Sequence, residues 1–256
     1  MSEIILETRG LTKHYGGVRA LEGADFVLMR GEHVAVMGDN GAGKSTFVRQ
    51  ITGVERPTAG EIIFDGKPVE FAGPIDARKA GIETVFQTLA LADDLDVPDN
   101  LFLGREKTLL NLGPFSILDY KGMREATLRG LEKTAVKIPT IRNTIRNMSG
   151  GQRQCVAIAR TATFHSKLTI MDEPTAALGV QETAQVENII GNLKKQGESL
   201  ILVSHNMRQV FDLVDRIVVF RRGRIVANLR KEETDGQDVV AYITGAKTGA
   251  EYQNAA

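Results

Sequence analysis

Nine consecutive residues, Gly38-Asp39-Asn40-Gly41-Ala42-Gly43-Lys44-Ser45-Thr46, carry the most specific chemistry in the chain. The first eight fit the spacing G-x-x-x-x-G-K-[ST], in which glycines let backbone N–H groups turn inward around phosphate oxygens. An apolar run, Val34–Met37, precedes the loop and a helix-like stretch, Ser45–Ile51, follows it. The loop is therefore expected to open a helix whose N-terminal dipole favours anions. In that setting Lys44 reaches the β- and γ-phosphates and the Ser45 hydroxyl ligates magnesium. A plain glycine-rich turn is the bland reading of the same residues.

A second group with matching chemistry weighs against that bland reading. Leu168-Thr169-Ile170-Met171-Asp172-Glu173 is an apolar strand ending in two carboxylates. A hard cation held by phosphates needs a further anionic oxygen, which Asp172 supplies at the strand end. Glu173 then stands over the terminal phosphate as base or positioner of attacking water. Met148-Ser149-Gly150-Gly151-Gln152 precedes a helix over Arg153–Phe164. A serine and two glycines at a helix start make either a second anion cradle or a simple N-cap. One nucleotide cannot easily use two separate cradles in one small domain. The sharper reading turns the second cradle toward a nucleotide bound by another subunit.

The elements that must position these residues alternate between two periods. Strand candidates in the opening third are Ile4–Thr8, Ala24–Leu28, His33–Met37, Glu61–Phe64, Pro68–Phe71 and Gly81–Phe86, with a hairpin signal at Asp65-Gly66. From about Thr88 to Phe164 the pattern is helical, with Leu128, Leu131, Ala135 and Ile138 on one face. Strands return at Leu168–Met171 and Ser199–Val203, separated by a helical stripe of Val186, Ile189, Ile190 and Leu193. A further stripe, Met207, Val210, Phe211 and Val214, leads to a closing hairpin, Ile217–Phe220 and Ile225–Leu229, around Arg222-Gly223. This is the pattern of an α/β sheet with helices packed on it, and a helical middle inserted into it. The expected organisation is one domain over residues 1–246, with a helical subdomain at about 88–164 and a flexible tail at 247–256.

With 256 residues, 42% of them hydrophobic and 25% charged, the composition excludes a disordered or fibrous protein. The single Cys155 cannot form an internal disulfide, which fits a reducing cytoplasm. Lys+Arg and Asp+Glu number 32 each, giving no electrostatic argument for nucleic acid or for an anionic membrane surface. The longest stretch without these residues, Thr108–Leu118, is shorter than the roughly 20 apolar residues of a spanning helix. The opening MSEIILETRG lacks a basic-then-apolar signal pattern. The expectation is a soluble cytosolic protein that meets a membrane only through a partner. His14, His33 and His165 are read as structural, and Cys155 as a small buried apolar residue.

GDNGAGKST, MSGGQ, LTIMDE and Ser204-His205, in that order, resemble the motif set of the ATP-binding cassette family, with Met148 where the family usually has leucine. The likeness runs from about residue 4 to 245. It implies an α/β P-loop NTPase cassette with an N-terminal antiparallel β part and an inserted helical subdomain. It also implies an ATPase that uses magnesium and whose copies pair head to tail around ATP. Under this resemblance Tyr15 matches the aromatic that stacks on adenine, with an ordinary strand-end tyrosine as the alternative. Gly38 through Thr46 match the phosphate loop, and Gln87, in Thr84-Val85-Phe86-Gln87, the glutamine that touches magnesium and senses the membrane partner. Ser149, Gly150, Gly151 and Gln152 match the segment that closes on the other subunit's ATP. Asp172 matches the magnesium carboxylate, Glu173 the catalytic glutamate and His205 the γ-phosphate histidine. His205 also follows an apolar strand, where an α/β sheet places ligand residues. One departure is Ala176-Ala177-Leu178-Gly179, where the family usually has Ser-Ala-Leu-Asp. Gly179 cannot make that aspartate's interface contacts, while the intact Glu173 implies that hydrolysis survives.

Gly81–Gln87, Thr175–Val180 and Ser204–Met207 look like the monosaccharide-importer branch, in a single-cassette form. That implies a homodimer, peripheral on the cytoplasmic face of the cell membrane. It would drive permease subunits and, through them, use an extracytoplasmic sugar-binding protein. A short permease helix would be received by about Leu89–Leu103, where Leu101-Phe102-Leu103 either lines the groove or belongs to the core. The alternatives are the ATPase of an amino-acid or lipid importer, or a soluble cassette working on ribosomes or DNA. Soluble cassettes usually bring two cassettes or a long coiled-coil insertion, neither of which is seen here. A P-loop kinase or GTPase leaves MSGGQ and Ser204-His205 without purpose, and no Asn-Lys-x-Asp segment occurs.

Overall fold

β3 (His33–Met37) is buried along its whole length, as a parallel strand covered on both faces must be. It lies inside a six-stranded sheet of order β12-β11-β3-β10-β9-β6. The other members are β6 (Ile82–Val85), β9 (Leu168–Asp172), β10 (Ser199–Val203), β11 (Arg216–Arg221) and β12 (Arg224–Arg230). β10 runs parallel to both β3 and β9, β11 runs parallel to β3, and β12 returns antiparallel on β11. A second, antiparallel sheet has the order β2-β1-β4-β5. It comprises β1 (Ile4–Tyr15), β2 (Val18–Met29), β4 (Ala59–Phe64) and β5 (Lys67–Val69). α1 (Lys44–Ile51) joins the sheets through one side chain. The Phe47 ring centroid lies 5.2 Å from that of Phe26 on β2 and 5.3 Å from that of Phe220 on β11, an edge-and-tilt aromatic cluster.

The computed structural model describes residues 3–110, 115–136, 138–164 and 166–249; His165 and residues 250–256, which carry two of the expectations above, lie outside these. The chain divides into two compact units. The first takes the residues up to Thr84, Lys167–Glu173 and those from Lys194 onward. It holds both sheets, α1, α2 (Pro74–Ala80), α7 (Met207–Leu213) and α8 (Gly236–Thr244). Gly245 caps α8 in a left-handed conformation, and Lys247 pairs with Asp238. The second unit takes Val85–Ser166 and Pro174–Leu193. It contains α3 (Val97–Phe102), α4 (Tyr120–Thr134), α5 (Gly150–Thr163) and most of α6 (Val180–Lys195). Its core gathers Val97, Leu101, Phe102, Met123, Ile145, Met148 and Val156. Leu101 and Phe102 are therefore core residues, and Leu103 alone of that trio is exposed.

The α6 stripe of Val186, Ile189, Ile190 and Leu193 is buried as its spacing requires. The α4 face differs from the sequence expectation. Leu128 is exposed, and Ala135 ends the helix at φ 55. The buried face is Met123, Thr127, Gly130, Leu131 and Thr134. α4 meets α5 at Gly130, where an added Cβ would lie 2.1 Å from Thr163 Oγ1, so the smallest residue selects the face. Two further departures are helices α2 and α8, which no apolar stripe announced, and a short hairpin of β7 (Thr108–Leu110) and β8 (Ile117–Leu118) inside the helical middle.

Candidate active site

The loop after β3 is fixed at both ends by glycines that no other residue replaces. Gly38 sits at φ 148, and a Cβ there would lie 2.3 Å from the Phe220 carbonyl oxygen. Gly43 sits at φ 106, and its Cβ would lie 2.8 Å from the Ala20 carbonyl oxygen. Both a left-handed backbone and a close approach thus require glycine. The Ala42 N–H donates to Asp39 O at 3.1 Å, and the Gly223 N–H donates to Ala42 O at 2.9 Å, so the β11–β12 turn buttresses the loop. Gly43 precedes the first turn of α1 and has no side chain to accept from it. The first-turn amides of α1 are therefore not capped by a side chain, an arrangement suited to an anion. Lys44 folds back, its Nζ donating to Gly38 O at 2.8 Å and Asp39 O at 3.0 Å. Burial lowers the pKa of the Lys44 amine, while Glu173, Asp172 and Asp39 oppose that shift.

Strand register brings the acids to the same edge. Val203 of β10 pairs with Val36 of β3 and with Asp172 of β9. Three neighbouring strand ends thus deliver the loop, Asp172, Glu173 and His205 to one edge of the sheet, the edge at which open α/β sheets bind ligands. Burial, and then the Glu173 charge, raise the Asp172 carboxyl above the usual carboxylate range, with Lys44 and Arg49 opposing. Glu173 is held at φ 50 with its N–H donating to Val203 O at 2.9 Å. A left-handed non-glycine residue costs on the order of 1 kcal/mol or more, and it turns this side chain back toward the next strand end. There Glu173 Oε1 lies 2.8 Å from His205 Nδ1. The Glu173 side chain is 17% exposed and that of His205 is 76% exposed, so the histidine is the solvent-facing partner. The buried Ser204 hydroxyl fixes the segment that carries it, accepting from the Asn206 N–H and donating to Gln209 Oε1, both at 3.1 Å.

Among the described residues no group of three or more His, Cys, Asp and Glu side chains could hold a metal ion. Ser45 and Asp172 nevertheless offer hard oxygen donors, and Asp172 carries a carboxylate destabilised by its surroundings. That donor set fits a magnesium ion that keeps most of its ligands from water and phosphate. Tyr15 ends β1 with its ring exposed and its hydroxyl bonded to Glu55.

The remaining expected site residues lie in the second unit. Gln87 follows β6 and is exposed. Ser149 is the N-cap of α5, and its Oγ accepts from the Gln152 N–H at 3.2 Å. The Gln152 Oε1 accepts in return from the Ser149 N–H at 3.0 Å, which completes a capping box.

The pattern of the ABC transporter family matches residues 21–176. The chain belongs to this family. The cassette is 47% identical over 248 residues to the fructose import ATP-binding protein FrcA of Rhizobium meliloti, covering 96% of this chain and 95% of that one. It is 42% identical to the xylose/arabinose import ATP-binding protein XylG of Sulfolobus acidocaldarius, covering 96% of each. Among solved structures it resembles the ADP conformation of an ATP-binding cassette of an ABC transporter. The TM-score is 0.81 at 27% identity, covering 96% of this chain and 97% of that chain.

Two features of this cassette lay beyond sequence reasoning. Gly223, read only as a turn residue, holds the phosphate loop. Glu182, at the start of α6, packs where a Cβ on Gly151 would lie 2.1 Å from its Cγ, and where one on Gly179 would lie 2.5 Å from its Oε2. Its only sequence signal is its place three residues after the departure at Gly179.

Proposed function

We propose that this cassette hydrolyses ATP to power the import of a monosaccharide through a membrane permease. The observation that carries the ATPase reading is the convergence of the loop, Asp172 and the Glu173–His205 pair on one strand-end edge. The fructose and xylose/arabinose import relatives support the cargo class. Tyr15 stacks on adenine, and residues Gly38 to Thr46 bind the phosphates with the first-turn amides of α1 and Lys44. Ser45, Asp172 and Gln87 would hold magnesium, which would supply positive charge to offset that of the phosphates. Glu173 orients the attacking water and accepts its proton. His205 fixes the Glu173 carboxylate through Nδ1 and turns its other ring nitrogen to the γ-phosphate. Ser149, Gly150, Gly151 and Gln152 complete the site of a second copy, so the working unit is a homodimer. The segment Leu89–Leu103 receives the permease, which takes cargo from an extracytoplasmic sugar-binding protein. Among the described residues no helix is long and apolar enough to cross a membrane; the cassette works as a peripheral subunit on the cytoplasmic face.

Replacing the base tests this reading. Glu173→Gln is expected to lower phosphate release by about 10²–10⁴-fold while ATP still binds and accumulates a dimer on a sizing column. Appreciable remaining turnover sinks Glu173 as the base. Held closed with ATP and recovered from native membranes, the same variant is expected to bring down a multi-helix permease. Recovery with ribosomes and no permease overturns the transport reading and leaves the ATPase chemistry standing.

A further inference from the structure

Glu182, in the first turn of α6, stands between two glycines of the second unit. A Cβ on Gly151 would lie 2.1 Å from the Glu182 Cγ and 2.7 Å from its Cβ. The hydrocarbon stem therefore lies flat on the backbone of the second glycine of Ser149–Gln152, and only a residue without a side chain leaves it room. Leu178 Cδ2 approaches the preceding glycine in the same sense, 3.9 Å from where a Cβ on Gly150 would be. Leu178 and Glu182 thus pack their segment against the start of α5.

The stem is fixed, but the carboxylate it carries is not used by its own chain. A glutamate at the third position of a helix ordinarily accepts from the N–H of the capping residue. Glu182 holds that position, yet its carboxylate takes part in no hydrogen bond or ion pair among the described residues. It is half-buried, whereas Ser149, Gly150, Gly179 and Val180 beside it are exposed. Its Oε2 lies 2.5 Å from where a Cβ on Gly179 would be, about as far as an aspartate there would carry its own carboxylate oxygens. We propose that Glu182 supplies the interface carboxylate that position 179 lacks, accepting from a donor on a second copy of this chain. The proposal rests on the reading in which Ser149–Gln152 close on that copy's nucleotide. Because the stem is seated on Gly151, the acceptor reaches the second copy together with Ser149. Glu182 touches no nucleotide; it is a positioning residue.

The test follows ATP-driven dimerisation of the full chain by sedimentation over a concentration series, in the Glu173→Gln background. Glu182→Gln keeps the stem and removes the charge. It is expected to weaken dimerisation about tenfold or more, since each dimer loses two charge-assisted hydrogen bonds. ATP affinity of the monomer is expected to hold, and the melting temperature to fall only by the little that one charge at a helix start is worth. Adding Gly179→Asp to Glu182→Gln puts a carboxylate back at the same edge and is expected to restore the dimer to within about threefold of the parent. A lower melting temperature with dimerisation unchanged makes Glu182 a helix-start charge alone and overturns the proposal. So does a folded double variant in which the dimer does not recover. A Glu173→Gln parent that stays monomeric with ATP removes the homodimer reading itself, and the proposal with it.

Discussion

α1 and α5 both begin in glycine-rich sequence, and they satisfy their first turns in opposite ways. Before α1 stands Gly43, left-handed and without a side-chain cap. Before α5 stands Ser149 in an extended conformation, closed into a reciprocal box with Gln152. Glycine, serine and a helix dipole therefore do not by themselves mark a binding loop; the conformation of the capping residue decides which helix keeps its donors for a ligand. α1 is open to a phosphate from its own chain. The Ser149 hydroxyl serves its own helix first, so a role toward a second copy's nucleotide has to share or exchange that hydrogen bond.

This contrast can be broken most sharply at Lys44. Lys44→Ala is expected to weaken ATP binding by about a hundredfold or more, near 2.7 kcal/mol, measured by fluorescent-nucleotide titration; unchanged affinity would mean that α1 is not the phosphate cradle. The next effect is acid lability of the strand that feeds α1. Burial lowers the pKa of His33, the first residue of β3, to about 4. The histidine folds in its neutral form, so its contribution is complete above the ordinary value near 6.5 and is lost as pH falls toward 4. At pH 5 the loss is about 2 kcal/mol, read from urea midpoints at pH 7 and 5. In His33→Gln that pH difference is expected to shrink; an unaltered difference places the acid-sensitive group elsewhere.

The smallest effect sharpens the α5 side. Ser149→Ala is expected to cost about 1 kcal/mol of stability, as loss of an N-cap does. Ser149→Asp, which also caps, is expected to restore the melting temperature. If ATPase activity returns with stability in Ser149→Asp, Ser149 acts only as a cap. If stability returns and activity does not, its hydroxyl has a duty beyond the helix.

Much of this architecture was legible because its signals are local. β3 and β10 occupy the bounds of their apolar runs, and the loop glycines announce a backbone that only they can adopt. The α4 face was misread because its contact is made by Gly130, which hydrophobic periodicity does not count. The β7–β8 pair escaped notice although Gly113-Pro114 lies between its strands, because those strands are only two and three residues long. In the site, each acid and His205 could be picked out singly. The resemblance implied that they share one phosphate, but the direct Glu173–His205 contact was not foreseen, since it spans 32 positions and rests on the parallel register of β9 with β10. The left-handed turn at Glu173 is likewise invisible in a side chain that normally avoids it.

The packing of Glu182 against Gly151 and Gly179 also constrains which sequences can succeed this one. An aspartate at position 179 would set a second carboxylate beside the first, in space that Glu182 Oε2 now occupies. That oxygen is the far end of a flexible side chain and can swing aside, so position 179 stays open to change, whereas the Glu182 Cγ and Cβ leave position 151 to glycine. The two glycines thus have unequal latitude: one is free to drift, and the other is held by the stem of its neighbour's side chain.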